Sequence, residues 1–244
     1  MKAIIIVAGQ GSRLLPLTLG VPKCLVPVGG RAILDHQLDA ARAAGIDRAV
    51  VIGGYRIDQI AEYLSQRKHD VAVTLIFNPF WAVASSIGSV WAARDHLSDP
   101  FALMNGDTIF DPSIVAAAAA DTTPGIRLVV DAIVEPEHDD MLVEVAGGRV
   151  CDVDKHLPAG RATHRSLGLV LSSGGDAYRS ALREVIAGDE GIHAYHHAII
   201  ARLAPDGHVG AVVIDPRAHW QEIDTADDIA RWERDHRQSD PVAA

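Results

Sequence analysis

The chain has 244 residues, 48% of them hydrophobic and 22% charged, and it carries a net charge of −10 from 22 Lys and Arg against 32 Asp and Glu. That length buries a sizeable core without disulfides, and the composition excludes a disordered, collagen-like or coiled-coil chain. The acidic balance argues against non-specific nucleic-acid binding, which depends on Lys and Arg neutralising phosphates. In chain order, residues 2–7 (KAIIIV) predict a buried strand. Ile33, Leu34, Leu38, Ala41 and Ala44 recur at helical spacing and Gly45 ends that helix. Residues 48–52 predict a second strand, 57–64 a second helix, 71–77 a third strand and 86–97 a third helix with Ser85 or Ser86 as N-cap. Residues 101–104 predict a fourth strand, followed by Asn105-Gly106-Asp107. Strand–helix alternation of this kind means a mostly parallel sheet covered on both faces.

The second half is less regular. Ala116–Ala120 reads as part of a helix and 126–134 as a strand. Residues 141–145 and 149–153 flank Gly147-Gly148, a strong hairpin signal. Residues 166–171 predict a strand, 174–187 and 192–203 helices, 209–214 and 220–223 strands, and 225–236 a closing helix with Thr225 as N-cap. The expected fold is one α/β domain over 1–237, a Rossmann-like, mostly parallel sheet with an antiparallel hairpin insertion, and a frayed tail at 238–244. The apolar run at 3–8 is too short for a signal-peptide core, and no run reaches the ~18 residues of a membrane span. The two cysteines, Cys24 and Cys151, form no CxxC pair, which fits a reduced, cytoplasmic protein.

The loop after the first strand reads Val7-Ala8-Gly9-Gln10-Gly11-Ser12-Arg13-Leu14, with Pro22-Lys23 further on. Such a loop sits at the carboxyl edge of an open sheet, and its glycines let backbone N–H groups approach phosphate oxygens. Leu14 stands where a dinucleotide fingerprint needs its third glycine, and no Walker A ending is present. A nicotinamide-dependent oxidoreductase is therefore disfavoured. Arg13 and Lys23 beside the loop suit a polyphosphate, although two solvated surface charges would also satisfy the pattern.

Ala8-Gly9-x-Gly11-x-Arg13 with Pro22-Lys23 resembles the signature of nucleotidyltransferases that join an NTP to a sugar phosphate or a phosphorylated alcohol. Leu25-Val26-Pro27-Val28-Gly29-Gly30, Gly53-Gly54-Tyr55, Asn105-Gly106-Asp107 and Glu222-Ile223-Asp224-Thr225 with Asp227-Asp228 extend the resemblance over nearly the whole chain. The stretch 78–89 lacks the Q-x-x-P-x-G-L-A of many sugar enzymes. It is closer to the N-x-x-x-x-x-N-N-x-x-S pattern of phosphocholine and aminoethylphosphonate cytidylyltransferases, with Ser85-Ser86 where those carry Asn-Asn.

The resemblance implies the fold of the nucleotide-diphospho-sugar transferases and a Mg²⁺-dependent reaction. CTP would be joined to a small phosphorylated alcohol or phosphonate with release of pyrophosphate. The alternative is a sugar-1-phosphate nucleotidyltransferase using UTP, dTTP or GTP, and a nucleotide-sensing domain without activity is a third reading. It further implies that Asp107 and Asp224 hold the metal and that Lys23 and Arg13 neutralise the phosphates. Ala8, Gly9, Gly11, Ser12, Gly54, Ser86, Asn105 and Gly106 would contact the nucleotide. On their own, Asp107 also suits a turn, Asp224 a helix N-terminus and Ser86 a helix cap. Asp227 and Asp228 are assigned to the first turn of the last helix.

Other groups receive plainer readings. His193 and His197 at i, i+4, with His196 beside them, lack the context of a zinc site, so a solvent-facing or lid role is expected. Trp81, Trp91, Tyr195 and Trp220 would be the aromatics for a cage around a quaternary ammonium. Glu135, His138, Asp139, Asp140 and Arg165 are candidates for the acceptor side. A homodimer through the hairpin half fits the chain, although no sequence feature demands it.

Overall fold

The computed structural model describes residues 1–133, 139–158, 160–189 and 191–237, so the tail expected at 238–244 and the end of the strand expected at 126–134 lie outside the described residues. The elements in chain order are β1 (Lys2–Val7), β2 (Pro27–Val28), β3 (Arg31–Ala32), α1 (Ile33–Ala43), β4 (Arg48–Gly53), α2 (Ile57–Ser65), β5 (Ala72–Phe77) and α3 (Ser86–Ala92). There follow β6 (Phe101–Asn105), β7 (Thr108–Phe110), α4 (Pro112–Ala120), β8 (Ile126–Ala132), β9 (Leu142–Ala146), β10 (Arg149–Asp154) and β11 (His164–Ser172). The chain closes with α5 (Ala177–Ala187), α6 (His197–Leu203), β12 (Val209–Val213), β13 (Trp220–Glu222) and α7 (Ala226–Arg237).

A nine-stranded sheet has the order β5-β4-β1-β6-β11-β8-β12-β10-β9. β5, β4, β1 and β6 are mutually parallel, as the strand–helix alternation of the first third implies. The sheet as a whole is mixed, and the expectation of a mostly parallel sheet interrupted only by a hairpin is corrected here. β11 lies between β6 and β8 and is antiparallel to both, while β12 returns parallel to β8. The hairpin of β9 and β10 turns through Gly147 and Gly148, both at positive φ as a tight two-residue turn requires.

Alternation along β1 divides the core. Ile4 and Ile6 face a cluster with Ile87 and Val90 of α3, Tyr178 and Leu182 of α5 and Ile199 and Ile200 of α6. Ala3, Ile5 and Val7 face the other cluster, with Leu34 and Leu38 of α1, Ile60 of α2 and Ile114 and Val115 of α4. α1 stops because Gly45 takes positive φ and its N–H and that of Ile46 satisfy the carbonyls of Arg42 and Ala41. Three predicted helices are shorter than expected. The segment 86–97 leaves the α conformation after Ala92, the segment 174–187 starts at Ala177 after two positive-φ glycines, and the segment 192–203 is helical only from His197, after a separate 3-10 turn at Gly191–His193. Among the described residues no helix is long and apolar enough to cross a membrane.

Candidate active site

β1 delivers the Gly-rich loop to the carboxyl edge of the parallel strands. The Ala8 carbonyl accepts the Tyr55 N–H at 2.9 Å, which ties the loop to the end of β4. Gly11, at positive φ, starts a 3-10 turn over Ser12–Leu14, and a Cβ there would lie 2.9 Å from Cβ of Lys23. The absence of a side chain at Gly11 is thus what lets Lys23 cross the loop. Lys23 itself follows Pro22 and opens a separate 3-10 turn, Lys23–Leu25.

The two aspartates converge through a short ladder. β7 pairs antiparallel with β13, placing Thr108 opposite Glu222, and the Ile223 N–H donates to the Asp107 carbonyl at 2.9 Å. Gly106 packs so tightly on the end of β1 that a Cβ would fall 2.2 Å from the Ile6 carbonyl oxygen. Lys23 Nζ bridges the pair, donating to Asp107 Oδ2 at 2.9 Å and to Asp224 Oδ1 at 2.5 Å. Arg13 reaches Asp224 Oδ2 at 2.9 Å and also bonds Asp139, which in turn accepts from Lys155. Asp224 is positioned from behind by Asp228, whose Oδ2 accepts from the backbone N–H groups of Asp224 at 3.1 Å and Thr225 at 2.7 Å. Thr225 Oγ1 accepts the Asp228 N–H in return, a reciprocal capping arrangement at the start of α7.

These contacts fix the charge states. Burial works against the Lys23 ammonium, but Asp107 and Asp224 outweigh it and hold its pKa above the ordinary value. Burial likewise pushes the Asp107 carboxyl up, and Lys23 more than reverses this. Glu222 makes no such ion pair among the described residues, and the attraction of Lys23 only partly offsets what raises it. Burial, then the charges of Asp107 and Asp224, raise its pKa to about 8.

Ala8, Gly9, Arg13, Ser86, Asn105, Gly106, Asp107 and Asp224 line one cleft of about 610 Å³. Gly9, Gly11, Ser12, Arg13, Lys23, Asp107 and Asp224 line an adjoining cavity of about 240 Å³. Of the predicted site residues, Gly54 stands apart from both. It lies under Trp81, where a Cβ would approach Trp81 Cβ to 2.4 Å and the Ala8 carbonyl oxygen to 2.7 Å, so it supports the wall from behind. Ser86 lines the cleft, but its hydroxyl is engaged by His196: Oγ accepts the His196 N–H at 2.9 Å and lies 3.2 Å from Nδ1.

His196 and His197 are not solvent-facing. Both are buried, and His197 Nε2 lies 2.9 Å from Ser166 Oγ. Burial lowers the His196 pKa to about 4 and that of His197 well below its ordinary value. His193 falls in the preceding 3-10 turn, so the i, i+4 pair does not share one helix. Trp81, Tyr195 and Trp220 line the cleft, with Arg165 over the Trp220 ring and Lys155 over the Tyr195 ring, whereas Trp91 packs against the core. Asp139, Asp140 and Arg165 also border the cleft, and Glu135 and His138 lie outside the described residues.

A glycine loop at the carboxyl edge of the parallel strands, two cations and two converging aspartates form a site suited to the phosphates of a nucleotide. The chain belongs to the MobA-like NTP transferase domain family, which it matches over residues 3–238. It is 27% identical to the CMP-5'-(3-aminopropyl)phosphonate synthase of Streptomyces rubellomurinus, over 93% of this chain and 37% of that protein. It is 33% identical to the mannose-1-phosphate guanyltransferase of Schizosaccharomyces pombe, over 59% of this chain and 41% of that protein. The chain therefore spans about two fifths of the length of these relatives. The CTP:phosphocholine cytidylyltransferase structure from Streptococcus pneumoniae shares the fold, with a TM-score of 0.78 at 23% identity, covering 96% of this chain and 98% of that one.

Proposed function

We propose that the chain is a Mg²⁺-dependent cytidylyltransferase joining CTP to a small phosphorylated alcohol or phosphonate. The observation that carries this reading is the Lys23 ammonium set between Asp107 and Asp224, which line both the cleft and the adjoining cavity, with Arg13 beside it. Similarity to a CMP-phosphonate synthase along 93% of the chain favours CTP and a phosphonate-type acceptor.

The two carboxylates fit a hard divalent cation. They face each other closely enough to share one ammonium, and Asp107 keeps 30% of its side chain open to the cleft. Such a cation takes a few carboxylates and completes its shell with phosphate oxygens and water. Mg²⁺ held by Asp107 and Asp224 would supply charge against the α-phosphate and the departing pyrophosphate. Lys23, released from the two carboxylates once they hold the cation, would neutralise the phosphoryl centre as charge builds on it, and Arg13 would hold the β- and γ-phosphates over the loop of Gly9, Gly11 and Ser12. An oxygen of the acceptor's phosphate or phosphonate forms the new bond to the α-phosphorus while the bond to pyrophosphate breaks on the opposite side. That oxygen is already ionised at neutral pH, so no general base is required and positioning carries much of the rate.

The test is pyrophosphate release with CTP, UTP, dTTP, ATP and GTP against phosphocholine, 2-aminoethylphosphonate, glycerol phosphate, inositol phosphate and sugar 1-phosphates. Turnover with CTP and a non-sugar acceptor is expected, and Asp107→Ala and Lys23→Ala should each lose about 10²-fold or more in kcat. Wild-type rates in both variants would overturn the site assignment. The stretch of identity to a mannose-1-phosphate guanyltransferase favours a second reading, a sugar-1-phosphate nucleotidyltransferase. Turnover confined to GTP, UTP or dTTP with a sugar phosphate would establish that one instead.

A further inference from the structure

The geometry points to Gln37 as the positioning residue for Asp107, an inference that rests on the role proposed for Asp107 above. Gln37 lies in the middle of α1 and is fully buried. Its Nε2 donates to two backbone carbonyls, that of Asn105 at 2.5 Å and that of Thr108 at 3.0 Å. These carbonyls bracket the Gly106-Asp107 turn, so one amide group holds both ends of the segment that carries the carboxylate.

The remaining features of the turn make that hold matter. Gly106 contributes no side chain, and the turn is pressed against the end of β1. The Asp107 carbonyl is anchored by the Ile223 N–H, which fixes the turn relative to Asp224, and Asn105 pairs with Ile6 of β1, which fixes where the turn leaves the sheet. Gln37 adds a tie from α1 to both ends of the turn, so that the residue leaving β6 and the residue entering β7 are held by one side chain.

Gln37 Oε1 is buried and has no hydrogen-bond partner among the described residues. A leucine at this position would join Leu34, Leu38 and Ala41 in the apolar face and remove that unpaired oxygen, but it would also take the donor away from the Asn105 and Thr108 carbonyls. The amide is accounted for by the two carbonyls it reaches. Loss of those bonds frees the turn, and displacement of a reacting group by about 1 Å lowers rates about 10²-fold.

The experiment compares Gln37→Leu with Leu38→Ala, a cavity-forming change one residue along the same helix. Three quantities are read well below the melting temperature of each variant: kcat, the KM for CTP, and Mn²⁺ binding titrated in the presence of CTP without acceptor. Gln37→Leu should lower kcat about 10- to 100-fold and raise the Mn²⁺ half-saturation severalfold, with the KM for CTP within about twofold of wild type. Leu38→Ala should lower the melting temperature and leave kcat and Mn²⁺ binding unchanged. Gln37→His, which keeps one donor, should fall between wild type and Gln37→Leu, and it carries the same comparison if the leucine variant does not fold. Gln37 variants that match Leu38→Ala in both kcat and Mn²⁺ binding would overturn the inference. Asp107→Ala separates the two levels: if it stays active the proposed reaction site is wrong, and if it is inactive while the Gln37 variants behave as Leu38→Ala, the positioning role alone falls.

Discussion

Glu222 shows how much of the site's chemistry arises from neighbours that are distant in sequence. Nothing in Trp220-Gln221-Glu222 suggests an unusual carboxyl, yet the β7–β13 ladder sets it beside Asp107, and its pKa rises to about 8. Between its ordinary value of 4.5 and about 8, Glu222 is ionised in the unfolded chain and protonated in the folded one. The folded state then binds more protons, so stability falls as pH rises through that window. Glu222→Gln removes the penalty. In metal-free protein the variant should melt above wild type at pH 8, and the two should converge near pH 4.5. A difference of constant size across that range would show that the carboxyl is not held protonated. Arg13 and Lys23 stand out in the sequence as cations beside a glycine loop, and the pairing of Asp107 with Asp224 follows from the family resemblance. Gln37 carries no sequence signal, because its partners are backbone carbonyls, while Asp139, expected on the acceptor side, is paired with Arg13, and His196, expected to face solvent or a lid, is buried against Ser86 far along the chain.

At the scale of elements, long periodic segments were legible and short ones were not. The KAIIIV strand, the α1 pattern ended by Gly45 and the Gly147-Gly148 hairpin each carry a period or a turn residue that local physics reads directly. β7, with three residues, is too short to show a period and has no counterpart among the expected strands, although its partner β13 falls within the strand expected at 220–223, and this pair brings the aspartates together. The helix carrying Asp224 at its entrance is held in place by a tertiary contact of the same hidden kind. Trp232 of α7 rests on Gly29, which joins β2 to β3 at a φ of +58°, and a Cβ there would lie 2.4 Å from Trp232 Cζ3. Gly29→Ala combines a disfavoured backbone with this overlap and should destabilise by about 1–3 kcal/mol. Trp232→Ala relieves the overlap but loses the packing. Urea unfolding should therefore show the double variant destabilised by less than the sum of the two singles. Strict additivity would mean that the indole does not rest on this turn.

Across the whole molecule, strand direction is what the sequence conceals. A strand buried on both faces reads as the same apolar run whichever way it points, so nothing in 166–171 marks β11 as antiparallel. Its insertion between β6 and β8 joins the parallel strands of the first half to β8, whose Asp131 pairs with Arg165 of β11, and both core clusters run across that junction, from Val50 and Val51 to Val170 and Leu171. A core shared in this way should unfold as one cooperative unit. Calorimetry is expected to give a single transition for 1–237. CTP with Mg²⁺ at about 100 times its dissociation constant should add about 2.7 kcal/mol, roughly 5–10 °C for a chain of this size. Asp107→Ala should keep the single transition and lose most of the shift, because the carboxylate proposed to hold Mg²⁺ against the phosphates is gone while the shared core is intact. Two transitions, only one of them moved by nucleotide, would mean that the strands on either side of β11 fold separately and that the cleft forms only when they meet.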